Sequence, residues 1–316
     1  MSKLKITERI DNITGLTDEY RKVKPPAPKS VKIELTGNCN FRCYFCAHFQ
    51  RLRKTGEMNQ DFFKRIALEM REAGVEELGM FYLGESFLCK WLPDAIAYTK
   101  SIGYPYVFLT TNGSLATPDK VEACMAAGLD SLKFSLNYAD PDQFIEIARV
   151  KPAYFAKIAE HLKEAYRIRE KNGYNCGIYG SYIDYDGKQG EKMVDYIGEL
   201  LPFLDEVYAL PLYNQAALIE DEEGKKEWKF VQGNRGRKGN LRDPLPCWSI
   251  FTEGHISFDG RLSACCFDHD YRFDMGDLKE IGFMDAWHSQ KFQDLRKAHL
   301  NQNVDGTICE KCVIYD

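Results

Sequence analysis

The chain has 316 residues, of which 44% are hydrophobic and 28% charged, a composition typical of a globular protein. This length buries about three quarters of the unfolded surface, in one large domain or in one large and one small domain. The formal net charge of -5 argues against bulk electrostatic binding to nucleic acid. No run approaches the ~18 apolar residues of a membrane span, and the start lacks a signal-peptide core, so we expect a cytoplasmic protein.

Residues 1–30 are polar and end in a proline-rich segment at 24–29. Proline fixes φ and lacks an amide hydrogen, so this segment cannot be helical. We expect residues 1–30 to form an N-terminal arm that packs on the main domain.

After residue 30 the hydrophobic pattern alternates between strands and helices. One helix is predicted after Asn59, a suitable N-cap. A second begins at Pro118 and ends at Gly128, and a further one covers about residues 152–172. Six βα units predict a parallel sheet with right-handed crossovers, curled into a partial (β/α)6 TIM-like barrel over residues 31–213. The six strand signals lie at 31–36, 78–83, 106–110, 131–136, 176–183 and 206–210.

Three cysteines follow the first predicted strand: Cys39, Cys43 and Cys46, with the spacing C-x3-C-x2-C. Three thiolates in one loop can bind three irons of a cubane cluster and leave the fourth iron open for chemistry. Zinc would need a fourth ligand, for which His48 is the local candidate. Buried or disulfide-bonded cysteines are a further alternative, although eleven cysteines in a cytosolic chain favour metal ligands and buried thiols.

Polar residues lie near or just after the end of every predicted strand of the barrel. In parallel α/β sheets the chemistry takes place at the carboxyl ends of the strands, so we expect these residues to converge near the cysteine loop. They are Gly84, Glu85 and Ser86; Thr111, Asn112 and Gly113; Ser135 and Asn137; Ser181 and Tyr182; and residues 211–214.

Residues 214–246 have a different character, because an acidic run at 220–223 is followed by seven lysines and arginines among glycines and asparagines. Such a stretch is typical of a solvated connection between domains. We interpret it as a linker, and the alternative is a lid that supplies cations to an anionic substrate.

A second set of cysteines lies in the segment 247–316, which we interpret as a separate small domain. Strands at 255–258 and 261–264 flank an Asp-Gly pair at 259–260, which predicts a β-hairpin. A helix at about 284–299 then leads to a C-x2-C pair. Four such cysteines could bind a structural zinc ion or a closed [4Fe-4S] cluster. They are Cys247, Cys265, Cys309 and Cys312.

Four cysteines lie outside both sets. Cys124 and Cys176 are expected to be buried as small apolar groups. Cys89 and Cys266 could face a substrate and donate a hydrogen atom to it. Arg149 is a further candidate for substrate contact.

With both cysteine signatures in this order and six βα units between them, residues 31–316 resemble the radical S-adenosylmethionine (SAM) superfamily with a C-terminal twitch/SPASM-like domain. The resemblance implies that Cys39, Cys43 and Cys46 hold a [4Fe-4S] cluster whose open iron binds SAM. It also implies one auxiliary [4Fe-4S] cluster on Cys247, Cys265, Cys309 and Cys312. Reductive cleavage of SAM would yield a 5'-deoxyadenosyl radical that takes a hydrogen atom from the substrate.

The same resemblance implies a set of SAM contacts. An aromatic residue just before the third cysteine would lie beside the adenine, and a Gly-Glu element after the second strand would hold the methionine amino group. Leu83 replaces the first glycine usual in that element. Polar groups after the fourth strand would meet the ribose or the carboxylate. The implied contacts are Phe45, Gly84, Glu85, Ser135, Asn137 and Ser181.

The cysteine layout is similar to that of radical SAM aminocyclitol dehydrogenases, in which a twitch cluster is thought to remove the second electron from the substrate. The leading hypothesis is therefore oxidation of a carbohydrate-like or natural-product substrate, with flavodoxin or ferredoxin as reductant. Alternatives are a peptide-modifying enzyme that crosslinks or epimerises, a sugar decarboxylase or epimerase, and a non-enzymatic scaffold with two zinc sites. No extended recognition domain precedes residue 31, which favours a small substrate.

Overall fold

The computed structural model of the chain describes residues 5–185, 187–219 and 230–313. Within them nine strands form one sheet, and six of these run parallel in chain order. Helices separate the parallel strands, as the hydrophobic pattern predicts, so the α/β fold class is confirmed. The parallel strands are β1 (Ser30–Ile33), β2 (Glu77–Gly79), β3 (Tyr106–Thr111), β4 (Ser131–Ser135), β5 (Gly177–Ile183) and β6 (Glu206–Leu210).

Seven α-helices accompany the parallel strands in the described part of the chain. They are α1 (Ile6–Thr14), α2 (Gln60–Glu72), α3 (Leu92–Ser101), α4 (Pro118–Ala126), α5 (Pro141–Ala148), α6 (Ala153–Asn172) and α7 (Gly187–Leu200). Asn59 caps α2, because its Oδ1 accepts a hydrogen bond of 2.9 Å from the Phe62 amide. Beyond α4, Gly128 has a φ of 98°, which glycine adopts without strain.

Alternate side chains of the parallel strands point into one cavity, so the sheet curls around it. Lys133 and Ser135 of β4 face the cavity together with Tyr208 of β6. Leu132 and Phe134, on the opposite face of β4, are fully buried in the hydrophobic core. This alternation follows from the two-residue period of a strand.

Helix α1 lies across the amino-terminal ends of the strands. Arg9 forms an ion pair of 2.5 Å with Glu77 at the start of β2, and the Thr7 hydroxyl donates to Glu206 at the start of β6, at 2.5 Å. We did not predict this helix from the sequence, although Ile6, Ile10 and Ile13 recur at helical spacing. The proline-rich segment that follows is not helical, as predicted.

The segment between the barrel strands and the last cysteines contains a small hairpin, β7 (Gly236–Arg237) with β8 (Asn240–Leu241). Arg237 forms an ion pair of 2.5 Å with Asp11 of α1, and Arg242 donates to the Asp11 carbonyl oxygen at 3.1 Å. These two arginines bind the first helix. The acidic run and Lys225, Lys226 and Lys229 lie outside the described residues, so the lid remains a prediction.

The chain after residue 247 extends the barrel sheet. It begins with a short helix, α8 (Ser249–Thr252), and β9 (Glu253–Ile256) then pairs in parallel with β1. β10 (Arg261–Ser263) pairs antiparallel with β9 and with β11 (Asp274–Asp277). The hairpin predicted about residues 259–260 is therefore confirmed, and Gly260 has a φ of 87° in its turn.

The single helix expected at about 284–299 is wrong. Two helices occupy this region, α9 (Phe283–Trp287) and α10 (Gln290–Leu300). The chain breaks between them because Ser289 caps α10, its hydroxyl accepting a 3.4 Å hydrogen bond from Phe292. The buried Arg296 guanidinium packs 4.2 Å from the rings of Trp287 and Phe292 and thereby joins the two helices. In the described ranges no helix has the length and apolar character needed to cross a membrane.

Candidate functional site

The loop that carries Cys39, Cys43 and Cys46 is fixed by backbone hydrogen bonds. The amides of residues 42 and 44 donate to carbonyl oxygens at the end of α5, at 3.1 and 2.8 Å. The Cys46 amide donates to the Cys43 carbonyl oxygen at 3.1 Å and closes a tight turn. A helix packed on the sheet thus positions the three thiols at the carboxyl end of β1.

Burial has the largest effect on the pKa values of these three thiols. It raises the pKa of Cys39 to about 12 and the pKa of Cys46 to about 11, and it raises the pKa of Cys43 well above its ordinary value. The charges that Cys39 and Cys46 would carry raise the pKa of Cys43 further, which means that the three sulfur atoms interact. Such thiols remain protonated at neutral pH until a metal replaces the proton.

Gly84 approaches the backbone of the cysteine loop so closely that a side chain cannot be placed there. A Cβ atom at this position would lie 2.0 Å from the Thr36 carbonyl oxygen and 2.8 Å from the Asn38 carbonyl oxygen. The amide of the next residue, Glu85, donates to the same Asn38 oxygen at 2.8 Å. The Gly-Glu element therefore packs directly against the loop between β1 and the first cysteine.

The Glu85 carboxylate is buried and already hydrogen bonded. It accepts from the Thr111 hydroxyl and the Asn112 amide, both at 2.8 Å, and from the Phe87 amide at 3.1 Å. Burial raises the pKa of Glu85, while these donors lower it. The carboxylate thus links the ends of β2 and β3, and the backbone of this element is what remains available to a ligand.

A cavity of about 380 Å³ lies inside the curled sheet. Four of the residues implied as SAM contacts line it, and so does Cys266, the neighbour of one predicted auxiliary ligand. The structure thus brings residues of both predicted cofactor sites to one space. The four implied SAM contacts are Phe45, Ser135, Asn137 and Ser181.

Gly84 and Glu85 do not line this cavity, and neither do two of the candidates for substrate contact, Cys89 and Arg149. Cys89 is 4% exposed and lies in the hydrophobic core, where burial raises its pKa to about 12. Arg149 packs against the cysteine loop, with its guanidinium 5.3 Å from the ring of Tyr44 and 5.1 Å from that of Phe49. The structure therefore does not support a contact between either side chain and a substrate in the cavity.

Several charged residues of the cavity were not selected from the sequence. Lys32 of β1 forms an ion pair of 2.8 Å with Glu253 of β9, and Lys133 of β4 donates to the Tyr208 hydroxyl at 2.9 Å. All four residues line the cavity. The available signal was a lysine in the middle of a strand that is otherwise buried, since a charge in that position needs a partner or water.

The second cysteine set lines another, small pocket between the hairpin and α10. Its members are Cys247, Cys265, Cys309 and Cys312. Burial raises the pKa of Cys247 to about 12 and the pKa of Cys312 to about 11. The Cys312 amide donates to the Cys309 carbonyl oxygen at 3.0 Å, as expected for a C-x2-C turn. Ser249 and His299 line the same pocket, and each has a buried polar atom without a hydrogen-bond partner in the described part of the chain.

These two thiol sets fit iron-sulfur clusters better than zinc. Across residues 5–185, 187–219 and 230–313, no group of three His, Cys, Asp or Glu side chains converges on a point where one metal ion could bind. Tetrahedral zinc needs such convergence. A cubane places each thiolate on a different iron, so its ligands surround a larger volume.

The comparisons with known proteins agree with the cysteine signatures. A model of the Radical SAM superfamily matches residues 33–180, and a model of an iron-sulfur cluster-binding domain, SPASM, matches residues 247–313. A probable GTP 3',8-cyclase of Sulfolobus acidocaldarius is 30% identical over 299 residues, covering 86% of this chain and 90% of that protein. The chain therefore belongs to the radical SAM superfamily and carries a C-terminal SPASM domain.

Other relatives differ in their reactions. A PqqA peptide cyclase of Streptomyces rochei is 29% identical over 201 residues, and the match spans 61% of this chain and about half (52%) of that protein. Among solved structures, BtrN in complex with AdoMet and 2-DOIA has a TM-score of 0.59 at 17% identity, covering 90% of this chain and 91% of BtrN. SuiB of Streptococcus suis bound to its precursor peptide SuiA has a TM-score of 0.65 at 14% identity, with coverage of 92% and 77%.

The resemblance drawn from the sequence is thereby confirmed, including its likeness to BtrN, a 2-deoxy-scyllo-inosamine dehydrogenase. The protein is a radical SAM enzyme, and its cofactors are SAM, a SAM-binding [4Fe-4S] cluster and an auxiliary [4Fe-4S] cluster. At identities of 12–17% the structural neighbours show the shared fold and leave the reaction open.

Proposed function

We propose that this enzyme oxidises a small carbohydrate-like or natural-product molecule held in the cavity. The observation that carries the proposal is the position of this cavity, which has Phe45, next to the first cysteine set, and Cys266, next to the second set, in its wall. A substrate bound there would lie between the two cofactor sites. The cavity volume of about 380 Å³ is within the range of small-molecule sites.

Cys39, Cys43 and Cys46 would hold the SAM-binding cluster, and Cys247, Cys265, Cys309 and Cys312 the auxiliary one. When bound, the first cluster and SAM supply hydrogen-atom abstraction, and the auxiliary cluster supplies an acceptor for one electron. Loss of a hydrogen atom, an electron and a proton converts a secondary alcohol into a ketone. The electrons that start each turnover would come from a reductant such as flavodoxin or ferredoxin.

The residues of the chain would bind and enclose the reactants. Phe45 would lie against the adenine, and Ser135, Asn137 and Ser181 would donate to or accept from the ribose and the methionine carboxylate. The amino group would meet the backbone of Gly84 and Glu85, since the Glu85 carboxylate is already hydrogen bonded. Helix α1 closes the amino-terminal end of the barrel and keeps bulk water from that side of the substrate.

The structure of BtrN in complex with AdoMet and 2-DOIA, which shares this fold, supports a small-molecule substrate. Nucleotides are also candidate substrates, because some relatives of the chain are probable GTP 3',8-cyclases. A peptide substrate is the second candidate, because SuiB binds a precursor peptide and a relative cyclises the peptide PqqA. In an epimerisation Cys266, at the cavity wall, would be the hydrogen donor.

The test is a mass balance in deuterium oxide. Anaerobically reconstituted enzyme would receive SAM, dithionite and a pooled metabolite extract, with the triple variant Cys39→Ala, Cys43→Ala, Cys46→Ala as control. A product lighter than its substrate by two hydrogens, formed with one SAM consumed per product, supports oxidation. A product of unchanged formula that carries one deuterium on carbon contradicts oxidation and favours epimerisation through a thiol.

A further inference from the structure

The charged groups of the cavity are unevenly paired. Among the residues that the structure describes, three cations line it, Arg9, Lys32 and Lys133, and Glu253 is a carboxylate that lines it as well. Arg9 has a partner in Glu77, at 2.5 Å. The ionic balance of the cavity therefore depends on the two lysines and on Glu253.

Glu253 is fully committed to groups other than Lys133. Its carboxylate lies 2.8 Å from Lys32 Nζ and 2.9 Å from Nε2 of the buried His255. Burial would raise the pKa of Glu253, but the charge of Lys32 and the contact with His255 hold it at about 2. Lys32 and Glu253 thus form a closed pair in the cavity wall.

Lys133 has a different environment. Its amine donates to the Tyr208 hydroxyl at 2.9 Å, and within the described residues it has no ion-pair partner. It stands two residues before Ser135 on β4, so the two side chains share a face and lie about 7 Å apart along the strand. The unpaired cation is therefore one layer deeper in the barrel than the implied SAM contact.

We propose that Lys133 and the Tyr208 hydroxyl form an anion subsite, and that the substrate carries a carboxylate or phosphate group which this subsite binds. This inference rests on the proposed function, since it assigns a substrate class to the same cavity. A charge in a low-dielectric cavity is stabilised by an opposite charge, and Lys133 supplies that charge to the ligand. A cationic amine on the substrate would meet the same lysine and be disfavoured.

Four compounds that share the glucose ring and differ in charge test the proposal: glucose, glucosamine, glucuronate and glucose 6-phosphate. Their retention by the reconstituted, SAM-loaded protein would be measured by equilibrium dialysis. We expect glucuronate or glucose 6-phosphate to be retained more strongly than glucose, and glucosamine least. Whichever of the two anions is retained more strongly identifies a carboxylate or a phosphate as the group that the natural substrate carries.

Variants separate the subsite from general charge effects. Lys133→Met should weaken retention of the anionic hexoses about tenfold or more, as for loss of a charge-assisted hydrogen bond, and Lys133→Arg should restore most of it. Lys157→Met removes an exposed lysine of α6 and should change nothing. Equal retention of all four hexoses, retention of neither anion, or an unchanged Lys133→Met protein would overturn the proposal. The dialysis is independent of turnover, so these outcomes leave the proposed oxidation to its own test.

A second inference comes from the small pocket lined by Cys247, Cys265, Cys309 and Cys312. His299 is 1% exposed, and its Nδ1 accepts a hydrogen bond of 3.1 Å from the Cys247 amide. The ring proton must therefore be on Nε2, which has no partner in the described residues. Ser249, also 1% exposed, has a hydroxyl without a partner there, and both side chains line the pocket.

We infer that His299 Nε2–H and the Ser249 hydroxyl donate hydrogen bonds to the sulfur atoms of the auxiliary cluster. A buried donor without a partner is costly, so a sulfur acceptor in the pocket accounts for both atoms at once. Donors near sulfur stabilise the additional negative charge of the reduced cluster and raise its reduction potential. The two residues would thus set how readily this cluster accepts an electron.

The test is an EPR-monitored potentiometric titration of the auxiliary cluster in the variant that lacks the first three cysteines. His299→Phe and Ser249→Ala should each keep the full iron content of this cluster and lower its midpoint potential. His288→Phe, at a histidine that contacts the Pro25 carbonyl oxygen, is the control and should leave the potential unchanged. Unchanged potentials in both variants would contradict the inference, and so would a shift in the control of the same size.

Discussion

Replacement of Gly84 by alanine is expected to disturb the SAM site through a steric clash with the cysteine loop. The added Cβ would lie 2.0 Å from the Thr36 carbonyl oxygen and 2.8 Å from the Asn38 carbonyl oxygen. Both contacts are backbone atoms, so no rotamer change relieves them. The segment from Thr36 to Cys39 must move, or the Gly-Glu element must withdraw from it.

The cost can be estimated from overpacking in buried sites, which is about 1–3 kcal/mol. The shift falls on the loop that carries the first cysteine and on the Glu85 amide, which donates to Asn38 at 2.8 Å. We therefore expect a lower melting temperature and a SAM-binding cluster that forms poorly. The auxiliary cluster, which lies on other elements, should keep its iron.

The assay compares iron content, thermal melting and the change that SAM causes in the EPR spectrum. Gly198→Ala is the matched control, because Gly198 is an exposed residue of α7 where a Cβ meets no atom within 4 Å. In a helix that change should stabilise the protein by about 0.5–1 kcal/mol. A Gly84→Ala protein with wild-type melting and a wild-type SAM response would refute the reasoning.

Three further predictions concern single properties. Alanine at Cys39, Cys43 and Cys46 should leave about four irons per chain and abolish SAM cleavage, and 5'-deoxyadenosine from this variant would contradict the ligand assignment. Burial raises the pKa of Asp268 to about 6. The free energy of unfolding should therefore fall as the pH rises from about 4 to 6, because in this range the unfolded chain has lost the proton that the folded protein still binds. Asp268→Asn should remove this contribution to the pH dependence measured by chemical denaturation. Cys89→Ala should keep wild-type product formation by mass spectrometry, because Cys89 lies outside the cavity, and loss of turnover in a stably folded variant would contradict this.

Much of this molecule followed from local sequence signals. The six parallel strands, the Asn59 cap of α2, the glycine after α4 and the hairpin about residues 259–260 depend on hydrophobic period and on residues next to each element. The first cysteine set could be read from spacing, because Cys39, Cys43 and Cys46 lie in one short loop. The second set is spread along the chain and was read from the C-x2-C pair together with the predicted hairpin. These signals suffice because the interactions that produce them join residues close in sequence.

The tertiary structure decided what surrounds the substrate. Glu253 pairs with Lys32 only because β9 joins the sheet beside β1, whereas Lys133 of β4 contacts the Tyr208 hydroxyl and has no ion-pair partner among the described residues. Folding also buries Cys89 in the core, while Cys266 is placed at the cavity wall, although their residue type is the same. Such differences depend on which elements pack together across long stretches of chain, and the local hydrophobic pattern contains no information about that packing.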